Sequence, residues 1–289
     1  MEIRTNEPMA RHTSFRVGGP ADRFMIPESE EELREAVLDC KASGKPWYMV
    51  GNGSNLLVGD KGFRGTIIST ERLTELEVQK NENSIIAGAG VMLSKLANTA
   101  AREKLTGLEF AAGIPGTVGG AVMMNAGAYG SEMKNVILWA DVMDRYGTVK
   151  RLKNEELELG YRTSALERRG LFAVRAAFSL TTGDPGAIRA KMEELAAKRK
   201  EKQPLEYPSA GSTFKRPEGY FAGKLIEDAG LKGFSVGGAA VSEKHAGFVI
   251  NKDHGTAADI LELCNEVKRR VKENSGVDLD MEVKLLGDF

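Results

Sequence analysis

The sequence predicts an α+β chain in two parts, and three observations carry that expectation. Short apolar, strand-like runs are interspersed with amphipathic helical stretches as far as Leu180. A charged helix over Pro185–Lys202 then gives way to QPLEYPSAG, whose two prolines break it and mark the best boundary. The length of 289 residues also exceeds the commonest size of a single domain.

The elements follow in order. Phe15, Val17, Phe24 and Ile26 alternate with polar residues around a Gly-Gly-Pro turn, and Ser29 caps a helix over Glu30–Ser43 with Leu33, Val37 and Leu38 on one face. The run WYMV reads as a buried strand leading into GNGSNLLVG. IIST and IIAGAG follow as strands, the latter turning into a helix with Met92, Leu93, Leu96, Ala97 and Ala100 on one stripe. ILWADVMD, TVKRL and LFAVRAAFSL read as strands, with LGYRTSALERRG between the last two. Beyond the charged helix come a strand at SAGSTFKRP, a helix over 221–229, strands around SVGGAAVS and HAGFVIN, and a helix over 257–271. In the closing VDLDMEVKLL, Val277, Leu279, Met281, Val283 and Leu285 alternate with Asp278, Asp280, Glu282 and Lys284, which places Glu282 on the face away from the core.

Composition limits the function classes. With 40 Lys+Arg against 41 Asp+Glu, the formal charge of -1 supplies no global field for nucleic acid or an anionic membrane surface. Cys40 and Cys264 are the only cysteines and form no CxxC or Cys/His cluster, so neither a disulfide framework nor a metal site is expected. The opening MEIRTNEPMARH has no apolar signal core, and no run approaches the roughly 18 apolar residues of a membrane span. A cytoplasmic protein without membrane insertion is expected.

The chain is organised around residues 113–130, GIPGTVGGAVMMNAGAYG, whose six glycines let the backbone approach a ligand closely and take positive φ. N–H groups in such turns form anion sites, so a pyrophosphate can be held although the stretch contains no Lys or Arg. Taken alone it reads first as a tight structural loop, since glycine runs are common. A second glycine turn, again leaving an apolar strand, begins at Gly51 and shifts the balance toward a dinucleotide. Gly51 and Gly53 lack the third glycine of GxGxxG, and no GxxxxGK[ST] occurs, so neither a Rossmann nor a P-loop site is supported. GxSxG and HExxH are absent too, and His12, His245 and His254 are scattered in the sequence.

Seven segments, TSFRVGGPADRF, VGNGSNLLV, GIPGTVGGAVMMNAGAYG, LGYRTS, PSAGSTFK, FAGKLIEDAGLKG and VSEKHAGFVIN, occur in the order, and with the near-complete coverage, that resembles the UDP-N-acetylenolpyruvoylglucosamine reductases, the MurB family. PSAGSTFK with GYR is far more specific than any glycine run. The resemblance implies a cytoplasmic flavoenzyme of bacterial peptidoglycan precursor and cell-wall synthesis. It implies a PCMH-type FAD-binding domain of two α+β subdomains over residues 1–202, then a smaller α+β substrate-binding domain over 203–289 whose last strand returns to the active site. NADPH would be the hydride donor and UDP-N-acetylglucosamine enolpyruvate the substrate. FAD would be cradled by Val50, Gly51, Asn52, Gly53, Ser54, Asn55 and Leu56, and by Gly113, Ile114, Pro115, Gly116, Thr117, Gly119, Gly120, Asn125 and Gly127. Flavin-tethering relatives use His or Cys; neither lies in these turns, so the FAD is expected to be non-covalent.

The same resemblance assigns three catalytic residues. Arg162 would grip the substrate carboxylate and the charge developing on it, a task suited to a permanently charged fork of donors. Ser212 would donate the proton, and Glu282 would assist in its protonated form. As bare patterns they read as a surface anchor, a turn residue and one face of an alternating strand. Tyr161, Lys215 and Lys224 are the expected substrate contacts, the lysines on the diphosphate. The short segment between Arg162 and Phe178 resembles the type II branch, which lacks an inserted tyrosine-bearing loop, and Ala240 stands where many relatives carry Gln. The alternatives are a flavin oxidoreductase of the same fold acting on an alcohol or lactone, and a non-catalytic nucleotide-binding module.

Overall fold

The computed structural model describes all residues from Met1 to Phe289. The chain forms two compact units: Met1–Arg4, Arg23–Asn52 and Gly65–Arg199 make the first, and Thr5–Asp22, Gly53–Arg64 and Lys200–Phe289 the second. The second thus takes in two N-terminal segments that a linear division of the chain leaves in the first part.

In the first unit, helix α1 (Glu30–Ser43) begins where the sequence places it. Ser29 has an extended backbone, and its Oγ accepts the Glu32 N–H at 3.2 Å. Three glutamates sit in the first turn, at the positive end of the helix dipole, and Gly44 closes the helix in the left-handed region at φ 64°. Its buried face is Leu33, Ala36, Val37 and Cys40, packed with Met25, Ile68, Met143 and Val174; Leu38, expected on that face, lies outside it and is exposed. The strand Trp47–Val50 runs parallel to Phe63–Ser69, but only Val50 is fully buried, a correction to the buried strand read from WYMV. It stands at the end of a sheet ordered Glu2–Pro8, Pro20–Ile26, Phe63–Ser69, Trp47–Val50, so only one of its sides has a neighbour.

Helices α2 (Leu93–Arg102) and α3 (Val118–Met124) share a core with a five-stranded antiparallel sheet. The sheet is ordered Val149–Lys153, Ile137–Met143, Phe172–Ser179, Ser84–Gly88, Leu76–Gln79. Short helix α4 (Ala165–Arg169) follows, then α5 (Pro185–Lys202), which buries Ile188 and Leu195 and is otherwise charged.

The second unit holds α6 (Ala222–Asp228), α7 (Ala257–Ser275) and a three-stranded antiparallel meander of Ser235–Val236, Ala239–Val241 and Val249–Asn251. Thr256 and Asp259 form a reciprocal capping box at the start of α7. Ile260, Leu263, Cys264, Val267 and Val271 line its inner stripe, and Phe15, Val17 and Leu57 join them in one core. Those three apolar residues explain why the N-terminal segments belong here.

Two expectations about this unit are corrected. SAGSTFKRP forms no strand: it makes only the isolated pairs Ser209 with Ile250 and Phe214 with Met281. The closing alternation is not one strand either. Lys215 N–H donates to Asp280 O and Glu282 N–H to Thr213 O, each at 2.8 Å; the chain then changes partner, and Lys284–Leu286 pairs in parallel with Leu56–Val58. A period of two predicts faces only against a single sheet. Here Glu282 is buried and Leu285 is exposed, the reverse of the alternation. No helix of the structure is long and apolar enough to cross a membrane.

Candidate active site

The glycine-rich stretch of the first unit is tied to the strand-helix turn before α2. Val118 N–H donates to Val91 O and Gly119 N–H to Ala89 O, both at 2.9 Å, and Leu93 N–H donates to Gly116 O at 3.0 Å. Its glycines provide closeness rather than unusual backbone angles: of the six only Gly130 has positive φ, and the other left-handed residues of the stretch are Asn125 (φ 45°) and Tyr129 (φ 54°). A Cβ on Gly119 would stand 3.0 Å from the Ala89 Cβ, and one on Gly51 would stand 2.3 Å from Thr117 Oγ1. That hydroxyl is buried and has no hydrogen-bond partner. An orphan hydroxyl costs free energy, on the order of 1–3 kcal/mol, until something bonds it. Asn52 Nδ2 donates to Pro115 O at 2.7 Å and joins the two glycine turns within this unit.

Asn125 is tied into the first unit by both ends of its amide. It is buried, its Nδ2 donates to Gly160 O at 3.1 Å, and its Oδ1 accepts the Lys134 N–H at 2.9 Å. Gly160 opens the turn that carries Arg162: Gly160 and Thr163 exchange backbone bonds of 3.1 and 3.3 Å, with Tyr161 and Arg162 at the tip. Ser164 Oγ donates to Met123 O at 2.7 Å, so the turn is fastened at two points to the C-terminal end of α3. Arg162 itself sits in the left-handed region at φ 54°, a conformation costly for a long side chain, and its guanidinium lies 5.5 Å from the centre of the Tyr161 ring. Strain of this kind persists where surrounding structure imposes it, and it clusters at functional sites.

In the second unit the turn from Gly53 is equally close-packed. Gly53 has φ 58°, and a Cβ there would fall 1.9 Å from the His12 carbonyl oxygen. Ser14 N–H donates to Gly53 O at 3.3 Å, while Ser14 Oγ is buried without a partner, the counterpart of Thr117 in the other unit. The His12 ring is engaged elsewhere, with Nε2 2.9 Å from a Glu7 carboxylate oxygen. Asn55 reaches the end of the chain: its Nδ2 donates to Glu282 O and its carbonyl accepts the Lys284 N–H, both at 3.0 Å.

Ser212 is exposed, between Gly211 (φ 78°) and the fully buried Thr213. Because Thr213 O accepts the Glu282 N–H, Ser212 and Glu282 stand on adjacent segments of this unit, although 70 positions separate them in sequence by subtraction of their numbers. Arg162 belongs to the other unit. Of the expected substrate contacts, Tyr161 is exposed, Lys215 is half-buried, and the Lys224 ammonium is held by Asp228 one turn along α6 at 2.5 Å.

No motif points to Arg199. Its Cδ lies 3.1 Å from where a Gly113 Cβ would stand, and burial holds its guanidinium below the ordinary arginine range, opposed by Tyr129. Helical spacing carries the signal, since residues 188, 192, 195 and 199 form one stripe of α5, and Arg199 ends it.

These features fit a flavin dinucleotide: two turns without Cβ atoms, each flanked by a buried orphan hydroxyl. In the first unit Thr117, Gly51 and Asn52 are the groups that could hold it; in the second, Gly53, Ser14 and Asn55 form a turn of the same kind. Residues 21–153 match the model of an FAD binding domain, and residues 203–286 match that of the C-terminal domain of UDP-N-acetylenolpyruvoylglucosamine reductase. The chain is 52% identical to a UDP-N-acetylenolpyruvoylglucosamine reductase of Clostridium novyi over 99% of its own length and 93% of the relative's. It is also 52% identical to that of Caldanaerobacter subterraneus, over 99% and 94%. The crystal structure of UDP-N-acetylenolpyruvylglucosamine reductase (MurB) from Thermus caldophilus is similar with a TM-score of 0.83 at 36% identity, covering 99% of this chain and 98% of that one. The chain therefore belongs to the UDP-N-acetylenolpyruvoylglucosamine reductase family of FAD-dependent oxidoreductases.

Proposed function

We propose that the protein reduces the enolpyruvyl ether of UDP-N-acetylglucosamine enolpyruvate to the lactyl ether, in the cytoplasm, with NADPH as reductant. The observation that carries the reading is the Glu282 N–H to Thr213 O bond, which sets the two acid-base candidates, Ser212 and Glu282, on neighbouring segments. FAD, held at the glycine turns, would supply the redox chemistry by which hydride from NADPH reaches the terminal carbon of the enolpyruvyl group.

Hydride addition there pushes electron density through the adjacent carbon toward the carboxylate, and a proton must arrive at that adjacent carbon. Arg162 acts on the carboxylate, where a guanidinium stays charged and offers paired donors. Ser212 delivers the proton from Oγ. A serine hydroxyl is a weak acid, so its neighbours matter: Lys215 is three residues on, and Glu282, the second acid-base group, is buried with its N–H on the carbonyl of the adjoining Thr213. Lys215 binds the diphosphate, and Lys224 does so on release from Asp228. The division of labour, with FAD-binding residues before 203 and substrate-binding residues after it, is part of the same proposal, with Ser14, Gly53 and Asn55 serving FAD from the second unit.

The test is anaerobic. NADPH is expected to bleach the protein's flavin, and the enolpyruvyl sugar nucleotide to restore the oxidised spectrum; a flavin that stays reduced on adding that substrate overturns the function. Ser212→Ala is expected to leave bleaching by NADPH intact and to slow reoxidation by at least about 100-fold, the range for loss of a general acid. Equal loss in both halves overturns the assignment of Ser212.

A further inference from the structure

Residues 242–248 join the strands Ala239–Val241 and Val249–Asn251 in a loop closed by its own hydrogen bonds. Ser242 N–H donates to Phe248 O at 2.9 Å and Phe248 N–H to His245 O at 3.0 Å, while Ser242 Oγ accepts the N–H groups of Lys244 and His245, both at 3.2 Å. Inside the loop, His245 Nδ1 accepts the Gly247 N–H at 3.1 Å. That bond requires Nδ1 to carry no proton, so it selects the neutral ring with hydrogen on Nε2. The ring has little room to move. Phe248 meets it edge-on with centroids 4.9 Å apart, and Cβ atoms added to Gly223 or Gly247 would stand 3.4 and 3.0 Å from its Cε1.

The bond continues into the segment that carries Ser212. Gly247 O accepts the Thr213 N–H at 2.9 Å. Thr213 is fully buried with every polar group engaged: besides that N–H, its Oγ1 accepts the Val249 N–H at 2.9 Å and its carbonyl accepts the Glu282 N–H at 2.8 Å. Three successive hydrogen bonds thus lead from the imidazole to the backbone of Glu282, through the residue next to Ser212.

We propose that His245 is a positioning residue for the reduction: through Gly247 and Thr213, its neutral imidazole holds Ser212 and Glu282 in register. The inference rests on the roles given to those two residues above. The charges facing the ring are Lys232 and Glu227, which pair with each other at 3.2 Å; Lys244 and Glu243 in the loop lie 3.8 Å from Glu206 and Lys252 respectively. Burial outweighs them and lowers the pKa of His245 from the ordinary 6.5. The sign follows. The neutral ring prevails at neutral pH, and the linkage is lost as pH falls through the lowered value, where the unfolded chain has already taken up its proton.

The experiment follows the two half-reactions of the FAD-loaded enzyme separately by stopped flow, between about pH 8 and pH 5, the range histidine titration spans. His245→Phe keeps an aromatic ring and removes the acceptor. We expect reoxidation by the enolpyruvyl substrate to fall about tenfold at all pH, equivalent to about 1.4 kcal/mol, with bleaching by NADPH unchanged. His245→Asn offers Oδ1 to the Gly247 N–H without titrating, and should restore reoxidation to within about twofold while removing its acid limb, a result a merely structural role does not give. Unchanged reoxidation in His245→Phe, equal loss in both halves, or an acid limb kept by His245→Asn overturns the proposal. Amide exchange at Gly247, Thr213 and Glu282 supplies a readout independent of substrate. It should quicken in His245→Phe and recover in His245→Asn, and it decides the linkage even if the substrate fails to reoxidise wild-type flavin, which would defeat the proposed function alone; unaltered exchange overturns the linkage.

Discussion

The turn that carries Arg162 is fastened by side chains, Asn125 and Ser164 reaching across to its backbone and to α3, whereas the segment that carries Ser212 is fastened by backbone bonds gathered on the buried Thr213. A side-chain fastening is written in particular residues and fails when one of them is replaced. A backbone fastening survives most substitutions of its own residues but depends on the elements that bring the backbones together. The first turn also stores left-handed strain at Arg162, while the second places its positive φ on a glycine, Gly211, where it costs little. Arg162 therefore rests on a strained, replaceable support, and Ser212 on a relaxed, distributed one.

Substitutions at three positions sharpen this contrast, and the largest effect falls on the close-packed turn at Gly53. Gly53→Ala drives a Cβ to 1.9 Å from the His12 carbonyl in a left-handed residue, with no flexible group able to yield. We expect a loss of more than about 3 kcal/mol in denaturant unfolding and a protein that purifies without flavin; retention of both would show that the two loops separate easily. Asn125→Ala removes two bonds at once and leaves Gly160 O and Lys134 N–H without them, at a cost of about 2–4 kcal/mol measured the same way. Asn125→Asp should recover part of it, since Oδ1 can still accept from Lys134. The smallest effect has the opposite sign. Arg162→Gly relieves about 1–2 kcal/mol of left-handed strain and forfeits about 0.5–1 through the freer unfolded chain, a net gain of about 0.5 kcal/mol in a protein that NADPH still bleaches and the substrate no longer reoxidises. A destabilised Arg162→Gly would mean that the guanidinium's contacts outweigh its backbone strain.

Local signals were legible where one element decides them. The Ser29 cap and the bounds of α5 follow from residues adjacent in sequence, as do the glycine turns. Glu282 was misread because its alternation presupposes a single sheet partner, while the chain exchanges Thr213 for Asn55 within three residues of its course, between the Glu282 and Lys284 amides. Asn125 was read from the glycine stretch around it; that its amide meets Gly160, 35 residues away, has no signal in the sequence. Leu38 sits beside Val37 in sequence, but a helix turns adjacent residues about 100° apart, which takes it off the buried stripe. The orphan hydroxyls of Thr117 and Ser14 leave no trace in sequence, since only folding removes their water.

The pairing of Leu56–Val58 with Lys284–Leu286 has a consequence for the order of events in the cell. Asn55 and Glu282 are bonded across 227 positions, so Asn55 acquires this partner only after almost all of the chain has left the ribosome. Contacts this distant are slow to form, and the early apolar residues Phe15, Val17 and Leu57 remain without their core meanwhile. Synthesis halted anywhere before Glu282 yields a chain in which Asn55 lacks both its bonds, to Glu282 and Lys284, and the second glycine turn is left open on that side.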